Sequence, residues 1–253
     1  MLKFPKFSLI FKLINLINFL KNNPQKQILG KRILVLAPHF DDEIFGCGGT
    51  LRKHVLAGDE IKIIYMTDGS NGIPQIKNKK KVFEIRKKES EQANRLIGIN
   101  DFYYLMEPDR YKPINNGSID KLSKIIIEFK PDLIFLPWFL DNHPDHKKTN
   151  YMLKEAIDNL NYNCNICAYE IWTPLIPNIL VDISDVFDTK MKAMKCFKSQ
   201  LKSIRYDLAF EGLNRYRSIH KQRGDGYAEA FIFIPSKKYF NFINKSFHWL
   251  TYD

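Results

Sequence analysis

The segment LAPHFDDEIFGCGGTL, Leu36 to Leu51, sets one histidine and three carboxylates within five residues, His39 to Glu43, at the end of an apolar run. A hundred residues later FLDNHPDHKKT, Phe139 to Thr149, repeats the composition with His143, Asp145 and His146 after another apolar run. Crowded carboxylates repel one another and oppose compaction unless a positive charge sits among them, and a divalent cation is the simplest one. Zinc accepts imidazole nitrogen and carboxylate oxygen, and a catalytic site uses three protein ligands and keeps one position for solvent. His39 and Asp42, three apart in a tight turn, can face one side, and His146 can approach from the second segment. Asp41 is then offset toward a reacting water, and His143 faces the far side of the same cavity.

Read singly, each cluster has a plainer use. Asp42 and Glu43 suit the first turn of a helix, where carboxylates complement the helix dipole. Pro144 suits the first helical position after His143, with Asp145 in the first turn. That reading does not explain why two distant strand ends carry the same residue types.

The surrounding pattern is alternating strand and helix. RILVLAP (Arg32 to Pro38) and DLIFLPW (Asp132 to Trp138) are continuous apolar strands of the kind buried in a parallel sheet. Between them lie a helix from Glu43 to Leu56, a strand from Glu60 to Gly69, a helix from about Val82 to Leu96, a strand at Phe102 to Leu105, and a helix to Phe129 capped by Ser118. A helix follows His143, then strands at Asn165 to Trp172, Leu180 to Ile183 and Tyr227 to Ile234, with helices within Thr189 to Leu201 and Leu208 to Ile219. This order predicts an α/β fold, a Rossmann-like, doubly wound, mostly parallel sheet in a single catalytic domain over residues 30–253. Ligands of such sheets bind beyond the carboxyl ends of the strands, where strand order reverses. A 3-2-1-4 order would bring the two acidic loops face to face.

With both motifs in this order, the chain resembles the PIG-L/LmbE-type zinc-dependent N-deacetylases, whose motifs stand here as APHFDDE and HPDH. The likeness continues through GCGGTL, MTDG, YEIWTP, KCFKSQ and GYAEAF, over roughly Lys31 to Ile234. The resemblance implies removal of an N-acetyl group from an N-acetylglucosamine-type sugar or glycoconjugate. It implies Zn2+, or another divalent metal, on His39, Asp42 and His146, with Asp41 as general base. His143 would assist the oxyanion and leaving amine, Asp145 would orient His143, and Arg86 and Asp109 would contact substrate hydroxyls. Phe40 departs from the usual proline between His39 and Asp41, and Arg110 stands where glycine is common.

Other classes fit less well. A metal-dependent phosphoesterase should want a second metal and more carboxylate ligands. GCGG does not form the G-x-G-x-x-G of a dinucleotide site. A non-catalytic membrane-surface glycan-binding protein would not need the full ligand set.

The 39 basic and 28 acidic residues give a net charge of +11, with Lys3, Lys6, Lys12, Lys21 and Lys26 ahead of Gly30 and a second cluster in IKNKKKVFEIRKK, Ile76 to Lys88. The first part of that second cluster, the basic loop from Ile76 to Lys81, could shape a lid over an anionic substrate or be a mobile loop with no role; nucleic acid is not an expected partner. FSLIFKLINLINFLKNN, Phe7 to Asn23, reads as an amphipathic basic helix within residues 1–29, too interrupted to span a bilayer or serve as a signal peptide. Residues 1–22 are expected to dock on the domain or a second subunit, or to lie at a membrane interface. Four cysteines with no convincing disulfide framework point to the cytoplasm, with peripheral contact at the inner face of the membrane. Cys164 and Cys167 read as small apolar residues of a strand.

Overall fold

The computed structural model describes residues 28–109 and 114–246. The expected helix within residues 1–29 and the Arg110 departure lie almost wholly or wholly outside them. Seven strands form one sheet in the order β3-β2-β1-β4-β5-β7-β6. They are β1 (Arg32–Ala37), β2 (Glu60–Thr67), β3 (Phe102–Glu107), β4 (Leu133–Pro137), β5 (Asn165–Tyr169), β6 (Ile179–Asp182) and β7 (Ala228–Pro235). β1 to β5 are parallel, and β7 runs antiparallel between β5 and β6. The fold is therefore the expected doubly wound, mostly parallel sheet, and the order reverses at β1, which pairs with both β2 and β4.

Eight helices cover the sheet: α1 (Asp42–Leu56), α2 (Lys79–Ile97), α3 (Asn116–Phe129), α4 (Pro144–Leu160), α5 (Phe187–Met194), α6 (Lys198–Leu201), α7 (Tyr206–Gln222) and α8 (Ser236–Ser246). The buried faces of β1 and β4 split between two apolar clusters, Leu34, Leu36, Ile134 and Leu136 on one side, Ile33, Val35, Leu133 and Phe135 on the other. That two-sided burial is why these strands read as unbroken apolar runs.

Several boundaries differ from the sequence reading. α2 starts at Lys79 because the Asn78 side chain accepts the N–H of Lys81. α3 is capped by Asn115, which accepts from Gly117 N–H. Ser118 instead turns inward to donate to Glu107. The helix expected within Thr189 to Leu201 is two, broken at Lys195 to Phe197. α8 was not foreseen. Cys164 and Cys167 are free thiols, Cys167 fully buried in β5.

α1 carries Asp42 at its first residue, so whatever fixes α1 fixes the site. A buried ion pair reaches its backbone. Glu229 of β7 accepts from Gly49 N–H at 2.9 Å and Thr50 N–H at 2.7 Å. Lys190 of α5 donates to the Phe45 carbonyl at 2.8 Å, to Asn214 at 2.9 Å and to Glu229 at 2.7 Å. A Cβ on Gly49 would stand 2.8 Å from Ile183, so glycine lets α1 pack this closely on that side chain. Both charged residues are fully buried. Removing one partner of such a pair leaves an uncompensated charge, typically about 3–5 kcal/mol. Glu229→Ala is therefore expected to lower the melting temperature by on the order of 10 °C, as thermal denaturation followed by circular dichroism would show; a change under about 2 °C would contradict it.

Candidate active site

β1 and β4 end side by side, and the loops after them face each other. The β1 loop delivers His39, Asp41 and Asp42; the β4 loop delivers Asp141, His143, Asp145 and His146. Asp42 lies between two imidazoles: its Oδ2 is 3.1 Å from His39 Nδ1 and 3.2 Å from His146 Nε2. Each imidazole meets a second carboxylate through its other nitrogen. His146 Nδ1 is 3.0 Å from Asp141 Oδ1, and His39 Nε2 is 3.3 Å from Asp145 Oδ2. This is the pattern by which outer carboxylates fix the tautomer of metal-ligating histidines and leave the inner nitrogen's lone pair for the ion. Donor atoms of His39, His143 and His146, and of His39, Asp109 and Asp145, also gather within 4.8 Å of one another.

The electrostatics call for a cation. Asp41, Asp42, Asp109, Asp141 and Asp145 are all buried around the three histidines. The guanidinium among them, Arg86, is 3.2 Å from Asp41. Burial works against charge on His146, yet Asp42 and Asp141 outweigh it and carry its pKa to about 9. His39 likewise rises against burial because of Asp42, Asp109 and Asp145. Two imidazoles and a carboxylate are a donor set that suits zinc.

The remaining expected residues fall around this centre. Burial raises the pKa of Asp41, with Arg86 pulling the other way. His143 is the N-cap of α4, and its Nδ1 accepts from Asp145 N–H at 3.2 Å, which puts the ring proton on Nε2. Burial and the neighbouring His39 and His146 charges push its pKa down to about 4, so the ring is neutral at pH 7. Asp145 thus orients His143 through its backbone, while its carboxylate stands 3.8 Å from that ring and nearer His39. Asp109 Oδ1 is 3.7 Å from His39 Nε2, and its Oδ2 accepts from Asn71 N–H at 2.9 Å. Glu43, the third acid of the motif, belongs to the core: it accepts from Tyr65 at 2.8 Å and Asn94 at 2.6 Å, and burial lifts its pKa to about 8.

Phe40 gives the departure from proline a structural use. Its buried ring stacks on Tyr65 at 4.7 Å and lies 5.8 Å beneath the Arg86 guanidinium. Gly69, at φ 57°, closes the turn after β2 where a Cβ would come within 2.7 Å of Phe40. A cavity of about 280 Å³ opens onto the centre, lined by Asp41, Arg86, Asp109 and His143 below and by Trp172 and Tyr206 toward solvent. Pro74 and Gln75 reach it, but no lysine of the Ile76 to Lys88 cluster does, so the basic lid over an anion does not form among the described residues.

Asp141 was missed by the sequence reading because it stands just ahead of the HPDH motif, outside the spacing that makes that motif recognisable. Besides His146 it accepts from His143 N–H at 3.1 Å and from Trp172 N–H at 2.8 Å. Loss of such an outer partner typically costs roughly 10–100-fold in metal affinity. Asp141→Asn is expected to weaken zinc by about that much, measured by competition with a chromophoric chelator; affinity within about twofold of the parent would refute the role.

The PIG-L family model, described as GlcNAc-PI de-N-acetylase, matches residues 34–157. Diacetylchitobiose deacetylase of Thermococcus kodakarensis is 26% identical over 242 residues, covering 88% of this chain and 90% of that protein. A probable N-acetyl-alpha-D-glucosaminyl L-malate deacetylase 2 of Bacillus cereus is 27% identical over 192 residues, 70% of this chain and 87% of its own. Among solved structures, N,N'-diacetylchitobiose deacetylase of Pyrococcus horikoshii with an inhibitor superposes at a TM-score of 0.72 and 25% identity, over 92% of this chain and 95% of that one. A hydratase, GalB of Pseudomonas putida, superposes at 0.72 with 17% identity, over 79% of this chain and 95% of its own, a likeness of fold alone. The family match runs from β1 into α4 and so encloses both loops whose histidines and carboxylates converge, and together with the named relatives it supports a PIG-L/LmbE-like deacetylase family for the chain.

Proposed function

We propose that the chain is a zinc-dependent hydrolase that removes the N-acetyl group from an N-acetylglucosamine-type sugar or glycoconjugate. The observation that carries this reading is the double clamp, in which His39 and His146 each meet Asp42 with one nitrogen and a buried carboxylate with the other. The names of the relatives, deacetylases of diacetylchitobiose and of a glucosaminyl malate, support the substrate class.

His39, Asp42 and His146 would hold the ion. When bound, zinc supplies Lewis acidity, which makes water a nucleophile near neutral pH and polarises a carbonyl. Asp41 takes a proton from the water that attacks the acetamide carbon. His143, neutral and protonated at Nε2, donates a hydrogen bond to the oxygen that becomes negative, a contribution of roughly 3–4 kcal/mol for a well-placed donor. Asp41, holding the proton taken from water, returns it to the nitrogen as the C–N bond breaks. Acetate and the free amine result. Arg86 and Asp109 line the cavity where sugar hydroxyls would sit.

The catalytic domain occupies residues 30–253, and residues 1–22 would serve as a docking or membrane-surface helix. Among the described residues no helix is long and apolar enough to cross a membrane. The test of function is amine and acetate release from a panel of N-acetylated sugars, before and after chelation and zinc restoration. Release that stops on chelation and returns with zinc is expected; no release from any sugar, or release indifferent to chelation, would overturn the reading.

A further inference from the structure

Trp172 is a large aromatic side chain at the mouth of the cavity, 49% exposed, and Ile204 beside the same opening is 46% exposed. Trp172 is nonetheless held firmly. Its backbone N–H is fixed by Asp141 at 2.8 Å, and the next residue, Thr173, accepts from Trp138 Nε1 at 2.7 Å. Its indole faces the His143 ring at 6.3 Å with 24° between the planes, and meets the Tyr206 ring edge-on at 5.9 Å. An apolar wall therefore runs without a break from the catalytic imidazole to solvent. A half-exposed indole that is already ordered offers contact area at little entropic cost.

Beside this wall the cavity is lined by the carboxylates of Asp41, Asp42 and Asp109, and Arg86 is engaged by Asp41 at 3.2 Å. At about 280 Å³ the cavity is also at the small end of ligand pockets, which run to roughly 300–1,000 Å³. That is room for about one sugar ring, and Trp172 and Ile204 are exposed apolar side chains of the lining that a group carried by such a ring can meet.

We infer that Trp172 is a specificity platform for the group attached to the acetylated sugar, and that this group presents an apolar face to the indole, as an aryl, alkyl or glycosyl aglycone does. This rests on the deacetylase reading and names the substrate class of the same site.

The zinc-loaded full chain should be assayed with N-acetylglucosamine, phenyl N-acetyl-β-glucosaminide and N-acetylglucosamine 1-phosphate. The phenyl glycoside is expected to exceed the free sugar by about tenfold in kcat/KM, mostly through KM, as one aromatic stacking contact would give. In Trp172→Ala the phenyl preference should collapse toward unity, and Trp172→Phe should restore most of it. Because the preference is a ratio within one protein, a general loss of activity cancels. A wild-type ratio near unity, a preferred phosphate, or a preference unchanged in Trp172→Ala would each overturn the inference. Should no sugar be turned over, the deacetylase reading fails, and equilibrium dialysis with the same three compounds decides the platform separately. Phenyl-selective binding lost in Trp172→Ala supports it, and unselective binding sinks it.

Discussion

Asp41→Asn is expected to lower turnover by about 10³-fold, within the range a positioned general base supplies, while the zinc content and melting temperature stay close to those of the parent. Asp41 stands apart from the clamp: its Oδ2 faces Arg86 at 3.2 Å, whereas the imidazoles meet Asp42. Asparagine keeps an oxygen for Arg86, so the variant should fold and hold its ion. What it loses is a group that accepts a proton. Burial raises the Asp41 pKa against the pull of Arg86, which brings the base nearer neutrality than an exposed aspartate. A base acts when deprotonated, so wild-type kcat/KM should climb with pH through that raised pKa, and the climb should vanish in the variant. Steady-state rates across pH, with metal measured on the same samples, check both statements. Turnover within about tenfold of the parent would remove Asp41 from the role of base.

The framework of the site was legible because it depends on period and order. β1 and β4 are apolar on both faces, and their positions at the reversal of the sheet follow from alternation of strand and helix. Once they are neighbours, the convergence of His39, Asp42 and His146 follows. What could not be read was which carboxylate answers which ring. Asp145 was expected to orient His143, and the contact runs through its backbone, because His143 caps α4 and accepts the Asp145 N–H. Asp141 has no motif of its own, yet it reaches His146 and the N–H of Trp172, thirty-one residues away in sequence. Glu43 is indistinguishable from Asp42 by spacing, and only the opposite face of the turn, packed on Tyr65 and Asn94, makes it a neutral core residue. The basic cluster misled for a similar reason: charge composition says nothing of direction, and its lysines do not line the cavity. The same fold in a hydratase at 17% identity makes the general point that fold alone does not assign the chemistry.

His146→Ala is expected to abolish zinc retention and, with it, turnover. The dialysed parent should hold about one ion per chain, as a three-ligand catalytic site does, and the variant close to none. The substitution also removes the ring that separates Asp42 from Asp141, so two carboxylates then face a void without the proton or ion between them. A pH titration of stability distinguishes this from simple damage. In the chelated parent, His146 has a pKa of about 9 against 6.5 for a free ring, because Asp42 and Asp141 outweigh the effect of burial. A raised folded pKa stabilises the protonated form: the contribution is complete below pH 6.5 and is lost as pH rises through 9. Its ceiling is about 3 kcal/mol, from about 1.4 kcal/mol per pH unit. His39 titrates in the same direction, so the chelated parent should lose stability to urea across this window, and His146→Ala should flatten that loss without erasing it. Zinc binding displaces these protons, so zinc affinity strengthens as pH rises. The stability curves of zinc-loaded and chelated parent should therefore diverge from pH 6.5 toward 9. Curves that stay parallel, or a His146→Ala protein that still binds zinc like the parent, would mean that the paired imidazoles do not hold the ion.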